Sequence, residues 1–118
     1  MNKERPILKG LINETTLDSE KFQNETIRPI IKMQHDFLIG LFEQHLSKRK
    51  IDFSTVAKDQ ILSKIKAIFE KDINFKYLIL GVIIGHFSST EFKTYQENTT
   101  EFHKRIIQIT VQRIFDSL

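Results

Sequence analysis

The chain has 118 residues, of which 40% are hydrophobic and 28% are charged. This length and composition predict one soluble globular domain, residues 1–118, and exclude wholesale disorder. Eighteen Lys and Arg residues against fifteen Asp and Glu leave a net charge of +3. Because these charges are spread along the chain, nucleic acid is the weakest of the partner hypotheses. The absence of cysteine excludes disulfides, thiolate metal sites and cysteine nucleophiles.

The N-terminal residues do not read as a targeting segment. Pro6, Lys9 and Gly10 interrupt the apolar stretch that a signal peptide requires. The longest apolar run, YLILGVII at residues 77–84, is far shorter than the roughly 20 residues that span a bilayer. We therefore expect a cytoplasmic protein that has no membrane partner.

Residues 1–16 show no clean hydrophobic period. Their apolar residues could form a short helix that begins at Pro6, because proline suits the first turn of a helix. The alternative is a loosely packed N-terminal arm. A helix start follows at Asp18, whose carboxylate can cap the first turn while Leu17 packs against Phe22.

A long amphipathic helix is predicted from this start to about Lys48, with its apolar residues on one stripe at about 100° per residue. Pro29 lies inside this helix, where it costs about 3 kcal/mol in a straight interior. We expect a kink, or a restart near residues 24–26 that places Pro29 in a first turn. The polar side chains placed to bond the freed backbone groups are Gln23, Asn24 and Thr26.

The next two helices are predicted from their hydrophobic patterns. Residues 55–71 form the cleanest amphipathic helix in the chain. Asp72 can cap the following segment, residues 73–86, which is apolar on nearly every side and is expected to be buried all round at the centre of the fold. A strand is the alternative for this segment, but no other segment alternates strongly enough to pair with it. Gly81 and Gly85 would let another helix approach closely.

Two capping boxes predict the last two helices. Ser88 with Glu91 opens a short helix around residues 90–97, and Asn98 with Glu101 opens the final one. Together these elements predict an all-α fold, a compact bundle of four or five helices whose first long helix is kinked or interrupted at proline.

The final helix, residues 99–117, has two apolar faces and therefore needs two neighbours. We expect one neighbour to be the core of the same chain and the other to be a second copy, which makes a homodimer the predicted assembly. The predicted self-association face consists of Ile107, Val111, Ile114, Phe115 and Leu118.

Polar residues around the proline form a candidate ligand site. A broken helix exposes amides that can hold anions, and Arg28 can bond a carboxylate through two donors. His45 lies in the apolar stripe of the same helix, with Gln34 at nearly the same azimuth. The structural alternative is that these side chains bond the backbone or each other. The candidate ligand-binding residues are Gln23, Asn24, Arg28, Gln34 and His45.

No pattern in the chain predicts catalysis. The four histidines match no metal-ligand spacing, and there is no phosphate loop, nucleophile elbow or paired-carboxylate motif. We therefore predict no catalytic residue, no metal and no cofactor. The basic cluster at residues 46–51 is typical of a solvated helix end.

The stretch FQNETIRPIIKMQ, residues 22–34, resembles the signature of a family of small helical bacterial proteins of uncharacterised function. The resemblance extends more faintly through KRK, FEKD and GVIIGHFSSTEF to most of the chain. Some members of that family carry the label glyoxalase, although glyoxalase-type folds use βαβββ modules that this sequence does not predict. The resemblance transfers no catalytic residue and draws attention to Gln23, Asn24, Arg28, Pro29 and Gln34.

Two hypotheses of function follow. The first is a non-enzymatic interaction module that associates with itself. The second is a small-molecule binder or enzyme whose pocket lies at the proline, lined by Gln23, Arg28, Gln34 and His45. The two differ in whether these side chains converge on one pocket.

Overall fold

The computed structural model describes residues 18–118, and every regular element in that range is helical. Residues 18–22 are helical and lead into a π-helical turn, Gln23–Ile27. The α-helices that follow are α1 (Arg28–Met33), α2 (His35–Arg49), α3 (Lys58–Lys71), α4 (Ile73–Ile84), α5 (Ser89–Glu97) and α6 (Thr99–Asp116).

The all-α prediction is confirmed, and the strand alternative for α4 is wrong. The described residues contain six α-helices rather than four or five, because the first long helix is divided. The helix or arm expected at residues 1–16 and the contact expected of Leu17 lie outside the described residues. None of the helices described is both long enough and apolar enough to cross a membrane.

Pro29 is accommodated by the π turn that precedes it. The amide of Arg28 donates to the carbonyl of Gln23, five residues earlier, and both ends of the turn keep right-handed helical dihedrals. Such a wide turn is a known way to relieve a helix whose normal hydrogen bonds are disturbed, here next to a residue that has no N–H to donate. The irregularity lies where it was predicted, and α1 begins after it with Pro29 in its first turn, although the right-handed helical path continues through the π turn.

A second interruption, which the sequence did not predict, lies at Gln34. Its dihedrals, φ −96° and ψ 15°, end α1 and begin α2. Hydrogen bonds from Gln34 N to Ile30 O and from Leu38 N to Gln34 O carry the helical path across this residue. The chain from residue 18 to residue 49 is therefore one interrupted helical path.

Side-chain caps fix the starts of α4 and α5. The carboxylate of Asp72 accepts from Phe75 N at 3.1 Å, as predicted. Ser88 and Glu91 form the complete capping box, with each side chain accepting from the backbone amide of the other. These local bonds confirm the helix starts that the sequence indicated.

The cap of α6 is only half of the predicted box. The Asn98 side chain accepts from Glu101 N at 3.4 Å. The Glu101 carboxylate instead accepts from Arg105 Nε at 2.8 Å, an i,i+4 pair within α6. Glu101 therefore stabilises a neighbouring arginine rather than the helix end.

α2 and α4 pack side by side in antiparallel directions. Near the end of α2, the His45 ring stacks on Phe75 of α4 with centroids 4.2 Å apart. At the other end, Gln34 Nε2 lies 2.8 Å from Nε2 of His86, just after α4. The start of one helix therefore meets the end of the other.

The hydrophobic core lies where these two helices meet α3 and α6. Phe22 anchors the start of the described chain to it, since its ring lies 4.7 Å from that of Phe102 and 5.5 Å from that of Phe87. The largest fully buried apolar side chains are Ile27, Ile31, Leu38, Phe42, Ile65, Phe69, Ile79, Leu80, Ile83, Ile106 and Ile114.

The prediction that α4 is buried all round is wrong. Ile73, Tyr77 and Leu78 are 59%, 57% and 50% exposed. Gly81 does not receive a neighbouring helix, because a Cβ built there would meet no atom within 4 Å. A Cβ at Gly85 would lie 3.0 Å from the Gly81 carbonyl oxygen, which is a contact inside the same segment. α4 therefore buries one side and presents the other to solvent.

The predicted self-association face on α6 is also wrong. Val111 and Ile114 are only 3% and 1% exposed in the single chain, and Ile107 and Phe115 are partly buried against the core. α3 packs along α6 and supplies the second neighbour that its two apolar faces require. Only Leu118, at 60% exposure, remains on the surface.

Thr110 on α6 gives a direct test of this packing. It is fully buried, and its hydroxyl has no hydrogen-bond partner among the described residues. We expect Thr110→Val to raise the free energy of unfolding by about 1 kcal/mol, because it removes an unbonded polar group at nearly constant shape. Urea denaturation measures this.

The adjacent residue provides the matched control. Val111→Thr places a hydroxyl at a position that is buried against apolar neighbours, and should lower the free energy of unfolding by about 1–3 kcal/mol. Destabilisation by Thr110→Val would mean that the hydroxyl has a partner.

Candidate functional site

The five predicted ligand-binding residues do not form one pocket. Gln23, Asn24 and Arg28 lie at the π turn beside α6, whereas Gln34 lies at the start of α2 and His45 lies near its end. The predicted convergence is therefore wrong, since Gln34 and His45 lie eleven residues apart along α2, about 16 Å at 1.5 Å per residue.

The polar residues of the π turn bond other side chains rather than the backbone. Gln23 Oε1 accepts from Arg105 Nη1 at 2.8 Å, and Asn24 Oδ1 accepts from Arg28 Nε at 3.1 Å. Thr26 donates to Glu91 at 3.4 Å. The predicted role of these side chains in satisfying freed backbone groups is therefore wrong. Two of the bonds tie the π turn to α5 and α6.

Two adjoining depressions lie between the π turn and α6. We call the first the arginine groove, which has a volume of about 350 Å³ and is lined by Asn24, Arg28, Pro29, Lys32, Ile109 and Arg113. The second has a volume of about 420 Å³ and shares Arg28 and Arg113 with the groove. Its other lining residues are Gln23, His35, Gln108, Ile109, Gln112, Asp116 and Ser117.

Arg113 has an unusual environment in this region. Its Nε is buried and has no hydrogen-bond partner among the described residues. Its Nη1 lies 3.2 Å from His35 Nδ1, which must accept because a guanidinium can only donate. The carboxylate in the second depression, Asp116, accepts from Gln112 at 2.9 Å. Arg113 thus has one neutral acceptor.

The Gln34 side chain joins the start of α2 to the end of α4. Its partner His86 is exposed and follows the last turn of α4. Because this bond lies at the surface and connects side chains of two segments, it serves the antiparallel packing of α2 and α4. Gln34 and His45 lie on the same side of α2, as their azimuths predicted, since both face the α4 segment.

His45 belongs to a polar cluster at the start of α4. Its side chain is 11% exposed, and its Nε2 lies 3.4 Å from Asp72 Oδ2. The same oxygen accepts from Arg49 at 2.7 Å. One carboxylate thus caps α4, pairs with an arginine and faces a histidine.

Burial lowers the pKa of His45 below its ordinary value of 6.5, and nearby Arg49 and Lys48 lower it further. The Asp72 carboxylate raises the pKa of His45, but by less than burial lowers it. The same carboxylate also pairs with Arg49. The Phe75 amide is the main cause of a lowered pKa at Asp72 itself. His45 is therefore a neutral, structural histidine at neutral pH.

A cleft of about 600 Å³ opens beside this cluster. Lys64 and Lys71 of α3 stand with Arg49 around it, while Phe53 and Ile68 provide apolar walls. Its deepest polar groups, His45 and Asp72, already bond each other or their neighbours. Among residues 18–118, no three His, Asp or Glu side chains come together in a way that could hold a metal ion.

We call the solvent-facing residues of α2 and α4, together with Met33 at the end of α1 and Gly85 just after α4, the outer face. Exposed positions recur every three to four residues along each helix, which places them on one stripe per helix. Tyr77 lies at the edge of the α4 stripe beside α6, where its ring is 6.4 Å from that of His103. The outer face consists of Met33, Phe37, Gly40, Leu41, Gln44, Ile73, Asn74, Tyr77, Leu78, Gly81 and Gly85.

The exposed residues that α4 contributes to the outer face are uncharged, whereas exposed Asp36, Glu43 and Lys48 of α2 lie beside Phe37, Gly40 and Gln44. Met33, Phe37, Tyr77 and Leu78 are each 50–61% exposed. At roughly 200 Å² for a fully exposed side chain of this size, these four alone present on the order of 400 Å². That lies within the range of about 300–600 Å² of the largest apolar patch on a typical monomer, a patch that often has a function.

Sequence reasoning missed Arg113 and its neighbours on α6. A signal was present, because Arg105, Gln108 and Gln112 recur every three to four residues between the two apolar faces of this helix, and Arg113 follows Gln112 directly. Such a polar stripe predicts that these residues lie on one side of α6, but it does not show that this side faces the π turn.

No protein-family model matches the chain, and neither the curated proteins nor the solved structures include a match. The resemblance of residues 22–34 to a bacterial family therefore stays a prediction.

The histidines give this fold an expected pH dependence. Burial lowers the pKa of both His45 and His103 below 6.5, so the unfolded chain binds protons more tightly than the folded one. We therefore expect the free energy of unfolding to decrease as the pH falls from about 7 to about 5. Urea denaturation at several pH values measures the slope.

Substitutions of the two histidines test whether they cause this pH dependence of the free energy of unfolding. His45→Gln should reduce the slope, and the double variant with His103→Gln should reduce it further. A double variant that keeps the wild-type slope between about pH 7 and pH 5 would contradict the assignment.

Proposed function

We propose that the protein is a cytoplasmic, non-enzymatic interaction module that pairs with a second copy of itself through the outer face. The observation that carries this proposal is the exposure of the large apolar side chains of Phe37, Tyr77 and Leu78 on two adjacent helices. Burial of such side chains against a partner removes apolar area from water and stabilises the complex. The absence of cysteine agrees with a reducing compartment.

A second copy is the partner that this surface fits best. In a twofold dimer the same patch faces itself, so charged groups near the axis would meet like charges. The exposed residues on the α4 part of the outer face, which include Leu78, are all uncharged. Its four largest exposed side chains supply about half of the roughly 800 Å² that one partner contributes to a standard interface.

Small residues also favour helix packing at this surface. Gly40 and Gly81 are exposed, and a Cβ at either position would meet no atom within 4 Å in the single chain. Their lack of a side chain lets the backbone of a partner helix come close. Two antiparallel helices from each copy would then form a four-helix interface.

Leu78→Glu should dissociate the dimer, because it would place two carboxylates in an apolar interface. Leu118→Glu is the matched control, since Leu118 is similarly exposed but lies at the end of the chain, beyond α6. Size-exclusion chromatography with light scattering should show a dimer for wild type and Leu118→Glu, and a monomer for Leu78→Glu. Circular dichroism should show unchanged helix content in all three proteins. A monomeric wild type at tens of micromolar would refute the proposal.

Gly81→Ala separates helix stability from association. In the monomeric Leu78→Glu background it should raise the free energy of unfolding by about 0.5–1 kcal/mol, because alanine favours the helix and nothing obstructs its Cβ. In the otherwise wild-type chain it should weaken the dimer, because the added methyl group separates the partner helices. Sedimentation equilibrium measures this dissociation constant.

Ser63→Ala is the control for this test. Ser63 is exposed on α3, so alanine there should also favour the helix without affecting the dissociation constant. An unchanged dimer in Gly81→Ala would show that partner helices do not approach each other at Gly81.

A further inference from the structure

We propose that the arginine groove binds a small organic oxyanion, a carboxylate or a phosphate monoester, through Arg28 and Arg113. This site is separate from the outer face, because the groove lies between the π turn, α1 and α6. The proposal rests on an incompletely bonded, partly buried guanidinium, on the charges that surround it, and on the shape of the groove.

Arg113 lacks the anionic partner that the other partly buried arginine of α6 has. Arg105 pairs with Glu101 at 2.8 Å and also donates to Gln23 at 2.8 Å. Within residues 18–118, no carboxylate pairs with Arg113 within 4.0 Å, and its Nε has no acceptor. A partly buried guanidinium whose buried Nε–H has no acceptor raises the free energy of the folded state. An incoming anion would relieve this cost.

The charges around the groove are all of one sign. Arg28, Lys32 and Arg113 line it, and its lining includes no acidic side chain. Asp116 lies in the adjoining depression and is held by Gln112, away from the groove lining. An anion in the groove would therefore meet three cations and no nearby competitor in the lining.

The π turn helps to arrange these cations. Arg28 and Lys32 are four residues apart and thus lie on the same side of the helix. Arg28 Nε is fixed by Asn24, which leaves the terminal nitrogens of its guanidinium to donate to a ligand. A planar guanidinium bonds two oxygens of one carboxylate or phosphate group, a geometry that lysine cannot provide.

The size of the groove favours an organic anion over a bare ion. A volume of about 350 Å³ is at the lower end of the range for small-molecule sites. Pro29 and Ile109 supply apolar contacts for a short carbon skeleton. We therefore expect the charged group to lie between the two arginines and the carbon atoms to lie against the proline ring.

The test is a titration of the ¹⁵N-labelled protein with sodium malonate and, separately, sodium phosphate. Sodium chloride holds the ionic strength constant. Saturable chemical-shift changes localised to residues around the groove are expected with at least one of the two anions. Tighter malonate binding would indicate a carboxylate ligand, and tighter phosphate binding would indicate a phosphate ester.

Three variants assign the site. Arg28→Gln and Arg113→Met should each raise the dissociation constant of the anion by about tenfold or more, because each variant loses one charge-assisted contact. Arg49→Gln is the control, because Arg49 pairs with Asp72 near the far end of α2, and it should bind as wild type does. Leu78→Glu should also bind normally, which separates this test from that of the dimer.

A stability readout distinguishes binding from a structural role. Without anion, Arg113→Met should unfold at a temperature equal to or above that of wild type, because it removes a partly buried charge that has no anionic partner. If Arg113→Met does not fold, the anion affinity of Arg28→Gln tests the proposal, since Arg28 is exposed. Shifts that chloride reproduces, shifts that do not saturate, or equal affinity in Arg28→Gln would each overturn the proposal.

Discussion

α4 is apolar on nearly every side, and the other helices in the described part of the chain cover only part of it. α3 and α6 cover the side that contains Ile79 and Ile83, and α2 lies along its flank. A single chain of this size buries roughly two thirds of the surface of its unfolded state. The uncovered part of α4 therefore remains in solvent together with the adjoining stripe of α2, and the outer face is a direct consequence.

The antiparallel pairing of α2 with α4 depends on one carboxylate. Asp72 caps α4, accepts from Arg49 and faces His45. These contacts fix the end of α2 against the start of α4, while the bond between Gln34 and His86 closes the opposite end. Because both ends are held, the exposed stripes of the two helices are aligned.

The proline has a different structural consequence from the one expected of it. The π turn that accommodates Pro29 keeps the helical path continuous and directs Gln23 and Arg28 towards α6. Polar side chains that a restarted helix would use for capping are instead bonded to α5 and α6. The proposed anion site lies between α1 and α6, whereas the proposed dimer surface lies mainly on α2 and α4.

Local signals in the sequence determined the helices of this protein. Recurrence of apolar residues every three to four positions and the caps at Asp72 and Ser88 depend only on neighbours within one or two turns. The same is true of the disturbance next to Pro29, although its π geometry was not evident. These features follow from backbone hydrogen bonds, which are formed between residues close in sequence.

Tertiary structure alone decided which apolar faces are covered and which polar side chains meet. The sequence shows that both α4 and α6 have more than one apolar side, but α3 covers the second side of α6 and, within residues 18–118, no helix covers that of α4. It likewise shows Arg28 and Arg113 without showing that they share a groove. Both outcomes depend on the packing of helices that are distant in sequence, and no local pattern specifies that packing.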